Sequence, residues 1–326
     1  MIRLGTIGTS KICKEFLNSA ASTNKFVHTS VYSRNRETGI EFAKSTGAVQ
    51  VFTNLEDMAM SNCIDAVYIA SPNSCHAIQS EILLKNNKHV LCEKTITTSK
   101  EEYSHLKKLA DSKGLIYMEA IMAPHSAQHA CVMDALSYIG PISNATIDFS
   151  QRSSRLDAFL NGERVNIFDM SLHAGALMDL GIYCVYAAID FFGLPKTISA
   201  CAKYLYNGAD GSGQSDFYYD DFSATLIYDK TQHATRKSKI VGENGILNFK
   251  SISMYSGVSL IKDNKETIIV PDLDKKEVMK GEAQNFADLI LNHKKDTHFY
   301  NKISTLCLNV HTCMDEIKNK AKINYN

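Results

Sequence analysis

Arg3-Leu4-Gly5-Thr6-Ile7-Gly8-Thr9-Ser10-Lys11-Ile12-Cys13 is the stretch that decides the fold. A short run rich in β-branched residues stops at Gly8 and passes at once into helical spacing over 11–21. A strand that turns this tightly into a helix leaves unpaired backbone N–H groups at the helix N-terminus, where the dipole favours an anion. Gly8, Thr9, Ser10, Lys11 and Ile12 therefore read as a cradle for a dinucleotide pyrophosphate. A full G-x-G-x-x-G begun at Gly8 would place glycine at 10 and 13, where Ser10 and Cys13 stand. Both are small enough to let backbone and helix approach closely.

Outward from this turn, strand-like runs at 27–33, 66–70, 89–92 and 115–118 alternate with helical patterns at 36–46, 74–85 and 99–113. The last pattern has Ser99 as N-cap, Glu102 as its capping-box partner and Gly114 as its stop. Such alternation implies βαβ units, a parallel sheet covered on both faces, and hence an α/β doubly wound Rossmann domain. After Glu119 the rhythm changes. A helical segment over 124–138 starts with Pro124 in its first turn and stops at Gly140-Pro141. Strand-like runs follow at 142–149, 197–206, 222–228, 239–241, 246–249, 258–261 and 266–270, with helices at 175–192, 282–291 and 304–318. Turns such as Gly242-Glu243-Asn244-Gly245 join neighbouring strands directly, which favours antiparallel pairing. The expected organisation is an NAD(P)-binding Rossmann domain over 1–120 and an α+β domain over 121–326 built on a mainly antiparallel sheet.

Composition narrows the function. The 326 residues carry 35 Lys+Arg and 35 Asp+Glu, a formal net charge of zero with no long basic run, which argues against a nucleic-acid partner. With 17 Gly and 5 Pro the chain has few breakers, and 44 % apolar residues suffice for a sizeable core. Nine scattered cysteines without a Cys-x-x-Cys pair argue against a disulfide framework or a thiolate zinc site and suit a reducing compartment. The sequence from Met1 shows no basic segment leading an apolar one, and no apolar run approaches the ~18 residues of a membrane span. A soluble, cytoplasmic protein with no membrane partner is expected.

Strand ends hold the candidate site residues, because an open parallel sheet binds ligands beyond its carboxyl ends. The run Val31-Tyr32-Ser33-Arg34-Asn35-Arg36 contains no acid to read a ribose 2′-hydroxyl. Ser33 and Arg34 suit a 2′-phosphate instead, so NADP(H) is preferred to NAD(H). Ser71, Pro72, Asn73 and His76 follow one strand end, Glu93 and Lys94 another, and Glu119 a third. Further on, Asp179 and Tyr183 stand four apart, on one face of a helix that begins near Gly175. An Asp amid Leu, Met and Ile requires a partner, expected to be a cation from the first domain. His173 is a candidate for a substrate hydroxyl. Neither it nor His76 has neighbours at ligand spacing, so no metal is expected.

Gly5-Thr6-Ile7-Gly8-Thr9-Ser10-Lys11-Ile12, Ser71-Pro72-Asn73-Ser74-Cys75-His76, Cys92-Glu93-Lys94, Met118-Glu119-Ala120 and Gly175-Ala176-Leu177-Met178-Asp179-Leu180-Gly181-Ile182-Tyr183 follow one another in a familiar order. Together with Ile240-Val241-Gly242-Glu243-Asn244-Gly245-Ile246-Leu247 they resemble the glucose–fructose oxidoreductase / inositol dehydrogenase (Gfo/Idh/MocA) family over nearly the whole chain. That family includes dimeric dihydrodiol dehydrogenases. The resemblance implies hydride transfer between nicotinamide and a sugar, cyclitol or related diol or carbonyl. It also implies a C-terminal open sheet used to form a homodimer or homotetramer. Lys94 matches the family's active-site lysine, Asp179 its aspartate, and Tyr183 the position held by His or Tyr. In such a site Lys94 and Tyr183 share the acid/base and oxyanion duty, and Asp179 holds Lys94 or the substrate hydroxyl in place. Three departures stand out: Thr95 replaces the family's proline, His173-Ala174-Gly175 replaces Gly-Gly-Gly, and the arginine or aromatic after Met-Glu-Ala is missing. The same fold also serves as a non-catalytic dinucleotide-binding regulator in the galactose-pathway repressor of yeasts. Retention of Lys94, Asp179 and Tyr183 favours the enzyme.

Overall fold

The computed structural model describes residues 1–292 and 297–325. Its contacts divide into two compact units, Met1–His125 with Lys275–Ser304, and Ser126–Asp274 with Thr305–Asn326.

In the first unit β1 (Ile2–Ile7), α1 (Lys11–Ala21), β2 (Phe26–Tyr32), α2 (Arg36–Thr46), β3 (Gln50–Phe52), α3 (Leu55–Met60), β4 (Ala66–Ile69), α4 (Asn73–Lys85), β5 (His89–Glu93), α5 (Lys100–Ser112) and β6 (Tyr117–Ala120) follow in order. All six strands are parallel, in the order β3-β2-β1-β4-β5-β6. The Rossmann expectation is met. Every residue of β4 is buried, as a strand covered on both faces must be. The order reverses between β1 and β4, the topological switch point at which such sheets hold ligands. β3 and α3 were not expected: three residues are too few to show a period. The helix Lys275–Leu291 packs on α1, where Ser19 donates to the Lys276 carbonyl at 3.1 Å and Lys275 meets Glu15 at 2.6 Å. It starts seven residues before the expected position, since Lys275, Lys276 and Glu277 hide its first turn among polar residues.

The second unit contains α6 (His129–Tyr138), β7 (Ile142–Ser150), α7 (Leu156–Leu160), α8 (Ile182–Phe192), β8 (Thr197–Tyr204), β9 (Asp210–Tyr218), β10 (Ser223–Asp229), β11 (Ser238–Gly242), β12 (Gly245–Ser251), β13 (Ser256–Lys262) and β14 (Lys265–Val270). The eight strands lie in the order β14-β13-β12-β11-β7-β10-β9-β8, antiparallel except for the β7–β10 pair. Pro124 lies in a short 3-10 turn, Ala123–His125, and α6 starts only at His129, so the expected helix over 124–138 is divided. The expected helix over 175–192 is also divided, into a π-helical turn, Leu177–Gly181, and α8. The helical stretch Met170–Phe192 is long and apolar enough for a membrane span by composition, against expectation, but 72 % of its most apolar window is buried inside the protein. All nine cysteines are free, as expected.

The turn after β1 is set by close approach. Gly8 has φ +102°, and a Cβ there would lie 2.7 Å from the Ala70 carbonyl oxygen at the end of β4. Gly8→Ala should therefore cost about 1–3 kcal/mol, read as a lower urea midpoint at unchanged m-value. An unchanged midpoint would contradict this packing of the turn.

Candidate functional site

Parallel pairing brings the ends of β1, β2, β4 and β5 to one edge of the first sheet, so the turns bearing Gly8, Ser33, Ser71 and Glu93 are neighbours. At α1 the N-cap Ser10 has an extended backbone and makes no side-chain cap, and the first turn contains no acid. The uncapped N–H groups and the dipole leave this end suited to an anion. Thr9 and Ile12 are half-buried; Lys11 is exposed and reaches Glu15 at 3.6 Å. Ser33 is half-buried, its N–H donating to the Phe52 carbonyl at 3.0 Å. Arg34 and Arg36 are exposed and form no ion pair among the described residues. Asn35 caps α2 by accepting the Thr38 N–H at 3.0 Å.

The turn that bears Lys94 is held from three sides. His76 is fully buried, with one ring nitrogen 2.8 Å from the Thr95 carbonyl and the other 2.8 Å from the Ser71 carbonyl. It lies between the Ser71-Pro72-Asn73 loop and the Lys94 turn; burial lowers its pKa, and the neutral ring so favoured donates its single N–H to one of the two carbonyls. Ser71 itself donates to Gln79 at 2.6 Å. Glu119, 2 % exposed, accepts the Ile96 N–H at 2.7 Å, so it supports the turn through the backbone. Glu93 accepts from the Tyr68 hydroxyl, and Tyr68 stacks on Phe16 of α1 with ring centroids 3.9 Å apart. Loss of hydration raises the Glu93 carboxyl, and raises that of Glu282 further, with the charge of Glu93 as a second cause. Lys94 itself is half-buried, and the peptide joining it to Thr95 is cis.

In the second unit Asp179 occupies the π-helical turn, a local widening frequent at functional sites. A cation for Asp179 is supplied within this unit. Lys230, just beyond β10, pairs with Asp179, donates to the Ile167 carbonyl at 2.8 Å and lies 4.9 Å from the Phe168 ring centroid. Tyr183 is half-buried and meets Phe149 edge-on at 5.3 Å. His173 has a left-handed backbone, φ 53°, and stacks on Tyr325 at 5.0 Å. Asp210 is fully buried at the start of β9 and accepts the Leu177 N–H at 2.6 Å. A Cβ on Gly175 would come within 1.8 Å of the other Asp210 oxygen, so only glycine fits there.

Lys94 thus lies in the first unit, and His173, Asp179 and Tyr183 in the second. Sequence reasoning missed Tyr68, Glu282, Lys230 and Asp210. The one signal for Lys230 is a charged pair, Asp229-Lys230, closing an apolar strand; Asp210, followed by Gly211-Ser212-Gly213, reads as a turn.

Residues 2–121 match the family model described as "Oxidoreductase family, NAD-binding Rossmann fold". The chain is 38 % identical to scyllo-inositol 2-dehydrogenase (NADP(+)) IolU of Bacillus subtilis, over 91 % of this chain and 90 % of that one. It is 33 % identical to the uncharacterized oxidoreductase YgjR of Escherichia coli, again over 91 % and 90 %. Its fold is shared by the crystal structure of KijD10, a 3-ketoreductase from Actinomadura kijaniata in complex with NADP and TDP-benzene. That match has a TM-score of 0.86 at 22 % identity and covers 98 % of this chain and 97 % of that one.

Burial raises the Asp210 carboxyl from 3.8 to about 7, which gives a pH test with a definite sign. Below about pH 4 the folded and unfolded chains both hold the proton, so this group contributes no difference. Between the two values only the folded chain holds it, so stability falls as pH rises, and above pH 7 the full cost applies. Asp210→Asn keeps an oxygen for the Leu177 N–H. It should match the parent near pH 4 and exceed it above pH 8, by up to about 4 kcal/mol, in urea unfolding at both pH values. Equal destabilisation at every pH would contradict this.

Proposed function

The chain belongs to the Gfo/Idh/MocA family of oxidoreductases, and from that premise we propose that it moves a hydride between NADP(H) and a CH–OH or carbonyl carbon of a cyclitol or sugar. It is a dehydrogenase or reductase acting on CH–OH groups. One observation carries the choice of cofactor. At the edge of the parallel sheet an uncapped helix N-terminus stands beside Ser33, Arg34 and Arg36, with no acid at the end of β2 and both arginines unpaired among the described residues. The turn fits a pyrophosphate because the Gly8 backbone lies where a Cβ would strike the Ala70 carbonyl. Ser33 and Arg34 fit a 2′-phosphate by charge-assisted hydrogen bonds. The relative acting on scyllo-inositol with NADP(+) supports the same reading.

When bound, the nicotinamide supplies or accepts the hydride, and the protein handles the proton and the charge. Tyr183 exchanges the proton with the substrate oxygen, its phenol hydroxyl being able to donate a proton and its oxygen to accept one. Lys94 donates to that oxygen as negative charge develops on it. Asp179 orients the reacting hydroxyl, and His173 reads another. Gly8, Thr9, Ser10, Lys11 and Ile12 hold the pyrophosphate. Ser71, Pro72, Asn73 and Glu93 line the nicotinamide side; His76 and Glu119 act there through the backbone they brace. The resemblance further supports a cytoplasmic homodimer or homotetramer formed through the eight-stranded sheet.

Thermal shift with NADPH, NADP+, NADH and NAD+ tests the cofactor. A ligand at 100 times its dissociation constant adds about 2.7 kcal/mol, so NADP(H) should raise Tm well above NAD(H) at equal concentration. Arg34→Ala should weaken NADPH about 10- to 100-fold and leave NADH unchanged, as loss of a charged hydrogen bond implies. Lys94→Ala should lower kcat on scyllo-inositol, or on whichever polyol or sugar the parent oxidises, by about 10²–10³. Equal shifts with NAD(H) would overturn the cofactor assignment, and full turnover by Lys94→Ala the role of the lysine.

A further inference from the structure

Lys230 stands just beyond the exit of β10 and Asp210 at the entry of β9. These strands are antiparallel, with Asp229 opposite Ser212, so both residues lie at the same end of the eight-stranded sheet. The Lys230 N–H donates to the Gly211 carbonyl at 2.9 Å, which joins the two strand ends beyond the ladder. Both residues bear on the π-helical turn. Asp210 accepts the N–H of Leu177, the first residue of that turn, and Lys230 pairs with Asp179 two residues further on.

Exposure within the ion pair is asymmetric. The Lys230 side chain retains 5 % of its surface, whereas that of Asp179 retains 24 %. A buried ammonium is costly unless its donors are used, and here the Ile167 carbonyl, the Asp179 carboxylate and the face of Phe168 surround it. The lysine is therefore a support behind a carboxylate that is itself accessible. One oxygen of Asp179 is taken by Lys230, which fixes the direction in which the other faces.

We propose that Lys230 is a positioning residue for the hydride-transfer reaction, fixing from behind the direction of the Asp179 carboxylate. The proposal rests on the reading of Asp179 as the group that orients the reacting hydroxyl. The sequence gap of 51 residues between them kept the pair out of any local motif.

The test uses the full-length enzyme and four variants: Lys230→Met, Lys230→Arg, Asp179→Asn and the double Asp179→Asn/Lys230→Met. They are assayed for kcat and KM with NADP+ and scyllo-inositol, or the polyol or sugar the parent oxidises, and for NADPH affinity by fluorescence. Lys230→Met should lower kcat about 10- to 100-fold, the scale of a misplaced catalytic group, while NADPH affinity stays within about threefold. Lys230→Arg should restore kcat to within about tenfold of the parent, since a second cation reaches the same carboxylate. In the Asp179→Asn background the lysine change should add less than about twofold, because a positioning role is lost with the group it positions. Full kcat in Lys230→Met, or losses that multiply in the double variant, would overturn the proposal. If Lys230→Met alone fails to fold, the neutral double variant decides by its kcat relative to Asp179→Asn. A parent that binds NADPH but oxidises no polyol or sugar would refute the proposed function instead. In that case thermal unfolding decides the pair: the double variant should melt above Lys230→Met, and a Tm equal to or below it would overturn the support assigned to Lys230.

Discussion

The approach of the Gly8 backbone to the Ala70 carbonyl is the constraint from which the rest of the first unit follows. It sets the N-terminus of α1 at the switch point of the sheet and leaves no room for a side chain at the turn. From there a single buried layer runs to the proposed catalytic lysine. Phe16 of α1 stacks on Tyr68, and Tyr68 donates to Glu93, the residue before Lys94. His76 and Glu119 brace the Lys94 turn through the Thr95 carbonyl and the Ile96 N–H. The Gly8 turn and the Lys94 turn thus share their supports, and a shift in one is felt in the other because close-packed interiors transmit displacement.

The second unit solves the same problem with charge. The π-helical turn that bears Asp179 is fixed at its start by Asp210 and at its centre by Lys230, both from one end of a sheet. Gly175 makes room for the buried Asp210 carboxyl, which explains why this glycine remains where the family's triple glycine has become His173-Ala174-Gly175. A buried acid with one satisfied oxygen is unfavourable for stability above neutral pH, a cost accepted here to hold the turn.

Much of this was legible in the sequence because the first unit obeys simple periods. Buried parallel strands give apolar runs, and α1, α2, α4 and α5 begin and end within one residue of the expected limits. β9 was not legible: Asp210-Gly211-Ser212-Gly213-Gln214-Ser215 has turn composition, and only pairing on both sides with β8 and β10 makes it a strand. Nor was the π-helical turn Leu177–Gly181, since an apolar run with one acid reads as a regular helix and carries no mark of the wider turn. The apolar surroundings of Asp179 called for a cationic partner in the sequence but did not point to Lys230. Its lysine comes from another strand, and such long-range pairs leave no local pattern. The ring nitrogens of His76 face two backbone carbonyls, a bracing role that the motif alone does not reveal.

The central claim is that this chain carries a hydride between a cyclitol or sugar carbon and NADP+. The most direct measurement is isotopic. The protein is incubated with NADP+ and scyllo-inositol, or an oxidised sugar, carrying deuterium on the reacting carbons, and the reduced cofactor is examined by mass spectrometry. The expected result is NADPH bearing a single deuterium, with none acquired when unlabelled substrate is used in heavy water. Reduced cofactor without the substrate's deuterium, or no reduction with any member of a cyclitol and sugar panel, would contradict it.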